Sequence, residues 1–208
     1  MTRPIILIGG GGHAKVLLDI IEMRQMEFTG YTDFENNQWE QAIYLGDDRM
    51  VQQYNPNGIK LVNGIGSTRK TDKRRSIYDL FKARGYEFET LIHPFTSVSS
   101  KAVLHEGVQI MAGAVIQTGS RIGVNSIINT KASIDHDCNI GSHVHIAPGA
   151  TISGGVTIGE GVHIGTGATV IQGIEIGPNS LIAAGAVVVK NVQPGAFVAG
   201  VPAKEATK

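Results

Sequence analysis

The sequence predicts two structural units, an α/β Rossmann-like domain over residues 1–90 and a parallel β-helix over residues 91–208. Three observations support this division. Charged residues are concentrated in the first unit, with 12 basic and 12 acidic side chains against six of each in the second. An aliphatic residue occupies every sixth position of the second unit, which is the period of a β-solenoid. The first unit instead alternates apolar strands with helices, and a glycine-rich turn follows its first strand.

The composition of the 208 residues excludes several functional classes. The 18 basic and 18 acidic side chains balance, so no long-range field attracts nucleic acid or an anionic membrane. The single cysteine cannot form an intramolecular disulfide, and no secretory signal or apolar run of about 20 residues is present. We therefore expect a cytoplasmic protein without membrane insertion and without nucleic acid as a partner.

The N-terminal unit is predicted to be a small doubly wound sheet. Its first helix begins at the glycine-rich turn and is expected to bury an apolar face, and two further helices are expected near residues 48–54 and 71–84. The residues of that apolar face are Val16, Leu17, Ile20 and Ile21. The predicted strands are 5–8, 28–32, 60–65 and 88–92.

The glycine-rich turn GGGGH at residues 9–13 suits a phosphate group. Glycine lets the backbone approach a ligand closely, and the following helix N-terminus offers free N–H groups and the positive end of a dipole. Asp33, at the end of the second strand, has the spacing of a group that binds a ribose or a base. A mononucleotide or nucleotide sugar fits better than NAD, because about 90 residues form only half of a dinucleotide fold. A turn used only for packing is the alternative.

The β-helix is predicted from one uninterrupted register. Seventeen aliphatic residues recur at every sixth position from Ile92 to Val188, a period that neither a helix nor a flat sheet has. Most residues two positions earlier are small or modest in size, which suits tight corners. Glycine also recurs every 18 residues, which indicates three six-residue strands per coil and a glycine that tolerates the backbone of one repeated corner. The series consists of Gly123, Gly141, Gly159 and Gly177.

His136 is the candidate general base. It lies in the segment 129–154, where the coils concentrate histidine and carboxylate side chains. A neighbouring carboxylate favours the imidazolium form and raises basicity, as a base near neutral pH requires. Adjacent side chains of a strand point to opposite faces, so His136 and Asp137 meet only if a corner separates them, and the repeat places one nearby. A solvent-facing polar corner without chemistry is the alternative.

The 18-residue period stacks His145 on His163 in neighbouring coils, about 4.8 Å apart. Two histidines raise the possibility of a zinc site like that of the gamma-class carbonic anhydrases. The third ligand that such a site needs is missing, since position 168 is Ala168. We expect no metal, an interface role for His145, and an outward-facing polar position for His163.

Five segments of the chain resemble the NeuD/PglD family of bacterial sugar acetyltransferases, which have left-handed β-helices. They are IILIGGGGHAKVLLDII, YTDF, DHDCNIG, HVHIAPGATISGGVTIG and VVVKNVQPGAFVAGVPAK, and they extend over nearly the whole chain. The resemblance implies an N-terminal domain that binds a nucleotide-linked amino sugar, and acetyl-CoA as donor between the β-helices of a homotrimer. The implied reaction is direct N-acetylation, here of a 4-amino-4,6-dideoxyhexose for a surface glycan.

The resemblance also implies roles for individual residues. His136 matches the catalytic base, and Asp137 matches the carboxylate that follows it, often a glutamate in the family; Asp135 is a possible substitute. His145 matches the histidine at the thioester end of coenzyme A, and Gly154 matches a glycine that contacts the cofactor. The residues implied for the nucleotide sugar are Gly11, Gly12, His13, Asp33, Gly66 and Ser67.

This activity agrees with the chemistry available in the sequence. A thioester is already activated, so one base, one oxyanion donor and two ligand sites suffice. Cys138 occupies a small-residue position of the repeat, and we expect it to be buried rather than nucleophilic. The basic run 69–75 is expected to be a solvated helix face, and a cation that binds a pyrophosphate is the alternative. A sialic-acid-type O-acetyltransferase and a non-catalytic solenoid that binds a nucleotide sugar remain the alternatives.

Overall fold

The computed structural model describes residues 3–68 and 71–206. Its first part is a sheet of four parallel strands: β1 (Ile5–Ile8), β2 (Phe28–Thr32), β3 (Tyr44–Gly46) and β4 (Lys60–Asn63). Their order is β3-β2-β1-β4. The helices are α1 (Gly12–Met23), a 3₁₀ helix (Asp48–Gln53) and α2 (Asp72–Ala83). Helix α1 packs on one side of the sheet, while α2 and the 3₁₀ helix pack on the other.

Some details of this part differ from the sequence prediction. Strand β3 was not predicted, because its three half-buried residues show no alternation. The strand predicted over 60–65 ends at Asn63, and the one predicted over 88–92 contains only Leu91–Ile92. Val16 is 43% exposed rather than buried. Its side chain lies at the mouth of a cleft beside the glycine-rich turn, which leaves it uncovered.

The rest of the chain is a β-helix with three faces, each a sheet of strands one coil apart. Face 1 contains β5 (Leu91–Ile92), β8 (Gln109–Ile110), β11 (Ile127–Ile128), β14 (His145–Ile146), β17 (His163–Ile164), β20 (Leu181–Ile182), β22 (Phe197–Ala199) and β23 (Lys204–Glu205). Face 2 contains β6 (Ser97–Val98), β9 (Val115–Ile116), β12 (Ser133–Ile134), β15 (Thr151–Ile152), β18 (Thr169–Val170) and β21 (Val187–Val188). Face 3 contains β7 (Val103–Leu104), β10 (Arg121–Ile122), β13 (Asn139–Ile140), β16 (Thr157–Ile158) and β19 (Glu175–Ile176).

The predicted six-residue register forms the core of the β-helix. Every aliphatic residue of the series from Ile110 to Val188 is buried. The first three, Ile92, Val98 and Leu104, are partly buried and pack against the same cluster. Successive coils pair in parallel with an offset of 18 residues, as in Ile122 opposite Ile140. Both the period and the number of strands per coil are therefore confirmed.

From Gly107 to Gly185, each corner of the β-helix contains one residue with a left-handed backbone. Positive φ recurs at every sixth residue from Gly107 to Gly185, and glycine occupies most of these positions because it has no Cβ to strain the conformation. Five other residues also adopt it, with φ between 55° and 58°. They are Asn125, Lys131, Asp137, His143 and Asn179.

The glycine series that begins at Gly123 has a different cause from the one predicted. These glycines do not have positive φ; they lie where neighbouring coils approach closely. A Cβ on Gly123 would lie 2.5 Å from the carbonyl carbon of Gly141 in the next coil. Backbone atoms cannot move aside as a flexible side chain does, so the series is required for spacing between coils rather than for turning.

Arg74 joins the N-terminal sheet to the β-helix. Its guanidinium is buried and donates to the carbonyl oxygens of Asn63, Ile65 and Asn125 at 2.7–3.0 Å. Burial lowers the pKa of Arg74 to about 9, so the side chain remains charged at neutral pH. The prediction of a solvated basic run is therefore wrong at Arg74, while Arg69 and Lys70 lie outside the described residues.

We predict that Gly123→Ala destabilises the protein by about 3 kcal/mol, because the new methyl group overlaps the backbone of the next coil. The control is Gly167→Ala, where a Cβ would meet nothing within 4 Å and only the positive φ of 66° is unfavourable. That strain is expected to be about 1 kcal/mol. Chemical denaturation measures both, and equal losses would contradict the role in spacing.

Candidate functional site

A cleft of about 640 Å³ lies between the carboxyl ends of β1 and β4 and face 1 of the β-helix. The glycine-rich turn forms one wall, the segment Gly64–Thr68 another, and Asn129 and His145 of the β-helix form the base. Open parallel sheets bind ligands at the carboxyl ends of their strands, at the point where successive connections run to opposite sides of the sheet. Here that point is β1, with β2 on one side and β4 on the other. Residues of both structural units are needed to enclose this cleft.

The glycine-rich turn presents the N-terminus of α1 to the cleft. Gly11 caps α1 without a side-chain hydrogen bond, and the first turn contains no acidic residue. A Cβ on Gly11 or Gly12 would meet nothing within 4 Å, so the backbone is open toward the cleft. Free N–H groups and the helix dipole at this end favour an anionic group such as a phosphate.

Asp33 holds the turn in place. Its Oδ2 accepts hydrogen bonds from the backbone N–H of Gly10 and from Asn37 Nδ2, both at 2.8 Å. Its Oδ1 accepts from the backbone N–H of Phe34 at 2.7 Å. Beyond Asp33 the cleft adjoins a pocket of about 350 Å³ that also contains Asp48 and the 85% exposed ring of Phe34. An uncovered aromatic ring beside carboxylates is suited to stacking and hydrogen bonding with a nucleobase.

His13 lines the cleft as a neutral imidazole. Gln109 Nε2 donates to the carbonyl oxygen of Asn63, so Gln109 Oε1 faces His13 and accepts from its Nε2 at 2.8 Å. This arrangement leaves Nδ1 of His13 as an acceptor. Burial, aided by the nearby charge of Arg74, lowers the pKa of His13 to about 4. The cleft therefore contains no histidine cation at this position near neutral pH.

Lys73 supplies positive charge to the site. It lines both the cleft and the adjoining pocket, and its Nζ lies 5.4 Å from the centroid of the Phe34 ring. Among the residues that line the described cleft it is the one lysine, and no arginine is present. In the sequence, Lys73 belongs to the run interpreted as a solvated face, for which a cation that binds a pyrophosphate was the alternative.

His145 lies at the base of the cleft on face 1. Its Nδ1 is 2.8 Å from Ser67 Oγ, and its Nε2 is 3.0 Å from Asn129 Nδ2. The predicted stacking on His163 is confirmed, with ring centroids 4.9 Å apart and planes at 81°. Burial, followed by the nearby His163, holds the pKa of His145 well below its usual range. His163 is also buried, at 5% exposure, and it lines a pocket together with Thr68.

His136 occupies the corner between faces 2 and 3. The left-handed backbone of Asp137 turns the chain here, so two adjacent side chains meet: His136 Nδ1 lies 2.9 Å from Asp137 Oδ2. Asp135 instead accepts from the backbone N–H of His136. The hydrogen bond with Asp137 raises the pKa of the exposed His136, and Asp135 adds a weaker effect through its charge. The corner that the sequence required between His136 and Asp137 is present.

Gly154 lies directly above His136, one coil further along. A Cβ on Gly154 would lie 2.5 Å from His136 Nε2, so the imidazole occupies the space that the missing side chain leaves. The Gly154 N–H has no acceptor among the hydrogen bonds of the described residues, whereas the Gly155 N–H donates to the His136 carbonyl. An imidazole nitrogen and a free backbone donor are thus adjacent at this corner.

The structure divides the predicted residues between two places. Seven lie around the cleft: Gly11, Gly12, His13, Asp33, Gly66, Ser67 and His145. The other three, His136, Asp137 and Gly154, lie at the corner between faces 2 and 3. In a three-sided β-helix this corner is opposite face 1, so the two groups are on opposite sides of the same chain.

Cys138 is buried, as expected, and its Sγ lies 3.2 Å from the carbonyl oxygen of Ser153. Burial raises the pKa of its thiol, which makes it a poor nucleophile. Within residues 3–68 and 71–206, no three His, Cys, Asp or Glu side chains are grouped to hold a metal ion. No helix in those ranges is long and apolar enough to span a membrane.

Comparison with known proteins agrees with both parts of the fold. Residues 4–81 match the PglD N-terminal domain, and residues 155–190 match the bacterial transferase hexapeptide repeats. The chain is similar to the acetyltransferase domain of PglB from Neisseria gonorrhoeae in complex with acetyl coenzyme A. The identity is 33% and the TM-score 0.94, with 99% of this chain and 100% of that one covered.

A second similar structure is a mutant of GDP-perosamine N-acetyl transferase from Caulobacter crescentus in complex with CoA and GDP-perosamine. The identity is 33% and the TM-score 0.91, with coverage of 99% of this chain and 97% of that one. WeeI from Acinetobacter baumannii shares the fold at 22% identity and a TM-score of 0.88, with 99% and 100% of the two chains covered.

We predict that Asp137→Asn lowers the pKa of His136 toward that of a free histidine, because a neutral amide oxygen replaces the charged acceptor that favours the imidazolium. NMR titration of the His136 ring measures this shift. The matched variant Asp135→Asn should lower the pKa less, since Asp135 contacts the backbone rather than the ring. A larger shift in Asp135→Asn would identify Asp135 as the carboxylate that controls His136.

Proposed function

Because the chain belongs to the NeuD/PglD family of bacterial sugar acetyltransferases, we propose that it acetylates the amine of a nucleotide-linked 4-amino-4,6-dideoxyhexose. It is an acetyl-CoA-dependent sugar N-acetyltransferase. The observation that carries the finer proposal is the pairing of an anion-binding cleft with an exposed His136–Asp137 pair.

The cleft supports a nucleotide sugar as acceptor. The N-terminus of α1 and Lys73 can hold the diphosphate, and the adjoining pocket with Phe34 can hold the base. The structure of the related Caulobacter enzyme contains GDP-perosamine, a nucleotide-linked amino sugar. Gly66, Ser67 and His13 then face the hexose, at the side of the cleft nearest the β-helix.

His136 is the proposed general base. Its Nδ1 is held by Asp137, which leaves Nε2 to accept the proton as the sugar amine attacks the acetyl carbon. Asp137 stabilises the resulting imidazolium, as the raised pKa of His136 indicates. The Gly154 N–H can donate to the developing oxyanion. When the tetrahedral intermediate collapses, the C–S bond breaks and coenzyme A leaves as the thiol after taking up a proton.

A second copy of the chain is needed to assemble this site. The cleft and His136 are on opposite sides of one β-helix, so a base cannot reach an amine bound in the cleft of its own chain. In a closed homotrimer, the corner of one subunit can face the cleft of the next. Gly154, which the resemblance places at acetyl-CoA, would then lie across the interface from face 1 of the next subunit.

The donor has a suitable surface beside the cleft. A pocket of about 400 Å³ on face 1 adjoins the cleft at Thr68, and its lining is mainly aliphatic or small. It includes Gly165, Ala183 and Phe197, with His163 at one side. A narrow apolar surface suits the pantetheine arm, whose thioester would then lie at the subunit interface beside His136.

We predict that the protein with acetyl-CoA releases free thiol in the presence of GDP- or UDP-linked 4-amino-4,6-dideoxyhexoses. Sialic acid should give no release, and acetylation of sialic acid alone would overturn the proposed acceptor. His136→Ala should lower turnover by about 10²–10⁴-fold while acetyl-CoA binding is retained. His105→Ala, which removes an exposed histidine outside the cleft, is the control. Full turnover in His136→Ala would refute the proposed base.

A further inference from the structure

We infer that Asn129 and His145 are positioning residues that fix the Ser67 hydroxyl as a hydrogen-bond donor to the bound nucleotide sugar. The inference rests on the proposed function and deepens it. The three side chains form a continuous hydrogen-bonded chain from the β-helix to the cleft: Asn129 to His145 to Ser67. Each donor and acceptor along the chain is determined by the one before it.

The first member, Asn129, has a fixed orientation. Its Oδ1 accepts from the backbone N–H of Thr130 at 2.8 Å and is also 3.3 Å from the Thr130 hydroxyl. A backbone N–H can only donate, so the oxygen of the amide must face Thr130. The NH₂ group therefore faces His145 and donates to its Nε2 at 3.0 Å.

This donor selects one tautomer of His145. A ring nitrogen that accepts a hydrogen bond carries no proton, so in the neutral imidazole the proton is on Nδ1. The ring stays neutral because burial, the adjacent His163, and the more distant His13 and Arg74 disfavour a charge. A protonated ring would also direct Nε2–H at the NH₂ group of Asn129, donor against donor.

The tautomer in turn determines the direction of the Ser67 hydroxyl. Nδ1–H of His145 donates to Ser67 Oγ at 2.8 Å, so the hydroxyl proton cannot point back to the ring. In the described part of the chain Ser67 makes no other side-chain hydrogen bond, and it lines the cleft. Its O–H is therefore directed at an acceptor oxygen of the ligand.

Ser67 and His13 then present one hydrogen-bond donor and one hydrogen-bond acceptor to the cleft. Ser67 donates, while the unprotonated Nδ1 of His13 accepts, as its bond with Gln109 requires. A hexose with hydroxyl groups on neighbouring carbons can satisfy both, since a hydroxyl group both donates and accepts. Both ring nitrogens of His145 already have hydrogen-bond partners, so it acts on the acceptor through Ser67. This role differs from the contact with the thioester end of coenzyme A that the resemblance implies.

A double-mutant cycle on the acetyl transfer reaction tests the hydrogen-bonded series from Asn129 to Ser67. GDP-perosamine is the acceptor. Ser67→Ala removes the donor, and Asn129→Leu removes the group that selects the tautomer. Each is expected to raise the KM for the acceptor about 3- to 10-fold, the loss of one hydrogen bond. The double variant should be no worse than either single variant, because both act through one hydroxyl. The KM for acetyl-CoA should not change.

Ser76→Ala is the matched control, since Ser76 is exposed on α2 and its hydroxyl donates only to the Asp72 carbonyl. Its KM values should equal those of the wild type. Independent effects of Ser67→Ala and Asn129→Leu on the acceptor KM would overturn the inference. A rise in the acetyl-CoA KM for Asn129→Leu would do the same, since it would place His145 directly at the donor.

The tautomer itself gives a test that does not depend on turnover. In ¹⁵N-labelled wild-type protein, the Nδ1 resonance of His145 should be that of a protonated nitrogen and the Nε2 resonance that of a bare one. Asn129→Leu should add the other tautomer, while Ser76→Ala should not. A protonated Nε2 in the wild type would overturn the inference. By contrast, failure of the proposed function would appear as absence of thiol release by the wild type with every amino sugar.

Discussion

The structure depends on one constraint, the closure of each β-helical coil in 18 residues. Aliphatic side chains at every sixth position fill the interior, and a left-handed residue turns each corner. Because successive coils pair in parallel, residues 18 apart are stacked. This stacking places Gly154 above His136 and His163 above His145. The same corner geometry that closes the coil brings Asp137 to the ring of His136.

The N-terminal domain and face 1 of the β-helix together form the proposed binding site. Helix α1 packs between its own sheet and the outward side chains Leu91, Met111 and Ile127 of the β-helix. Polar groups complete the contact, with Arg74 bound to carbonyl oxygens of both units and Gln109 joining His13 to Asn63. The segment between β4 and α2 is thereby held over face 1. The cleft consequently forms only when both units are folded and docked.

The period of the sequence was enough to predict the solenoid, since a register of six with small corner residues fits few other structures. Local motifs also predicted the residues of the phosphate turn and of the His136 corner. Two features could not be predicted, namely the burial of Arg74 and the role of Asn129. Their partners are distant in sequence, so docking of the two units creates these contacts.

One signal for the docked face was nevertheless present. The outward strand positions of face 1 at intervals of 18 are Leu91, Gln109, Ile127, His145, His163 and Leu181, and they contain no charged residue. Those of face 3 are Val103, Arg121, Asn139, Thr157 and Glu175, which are mostly polar or charged. The outer column of face 2 is also uncharged, but its side chains are small or β-branched: Ser97, Val115, Ser133, Thr151, Thr169 and Val187. The large apolar side chains of Leu91, Ile127 and Leu181 are therefore what distinguishes face 1 as a face that another part of the protein covers.

The central claim is that the base of one subunit serves the cleft of the next. Co-expression of His136→Ala with Gly12→Glu, each with its own tag, gives mixed trimers after purification through both tags. Gly12→Glu places a carboxylate in open space at the proposed phosphate site, at a helix N-terminus that tolerates it. Every mixed trimer has one site with both groups intact, so turnover should recover to about a third of the wild type. Mixed trimers as inactive as the two parent variants would show that each chain uses its own base.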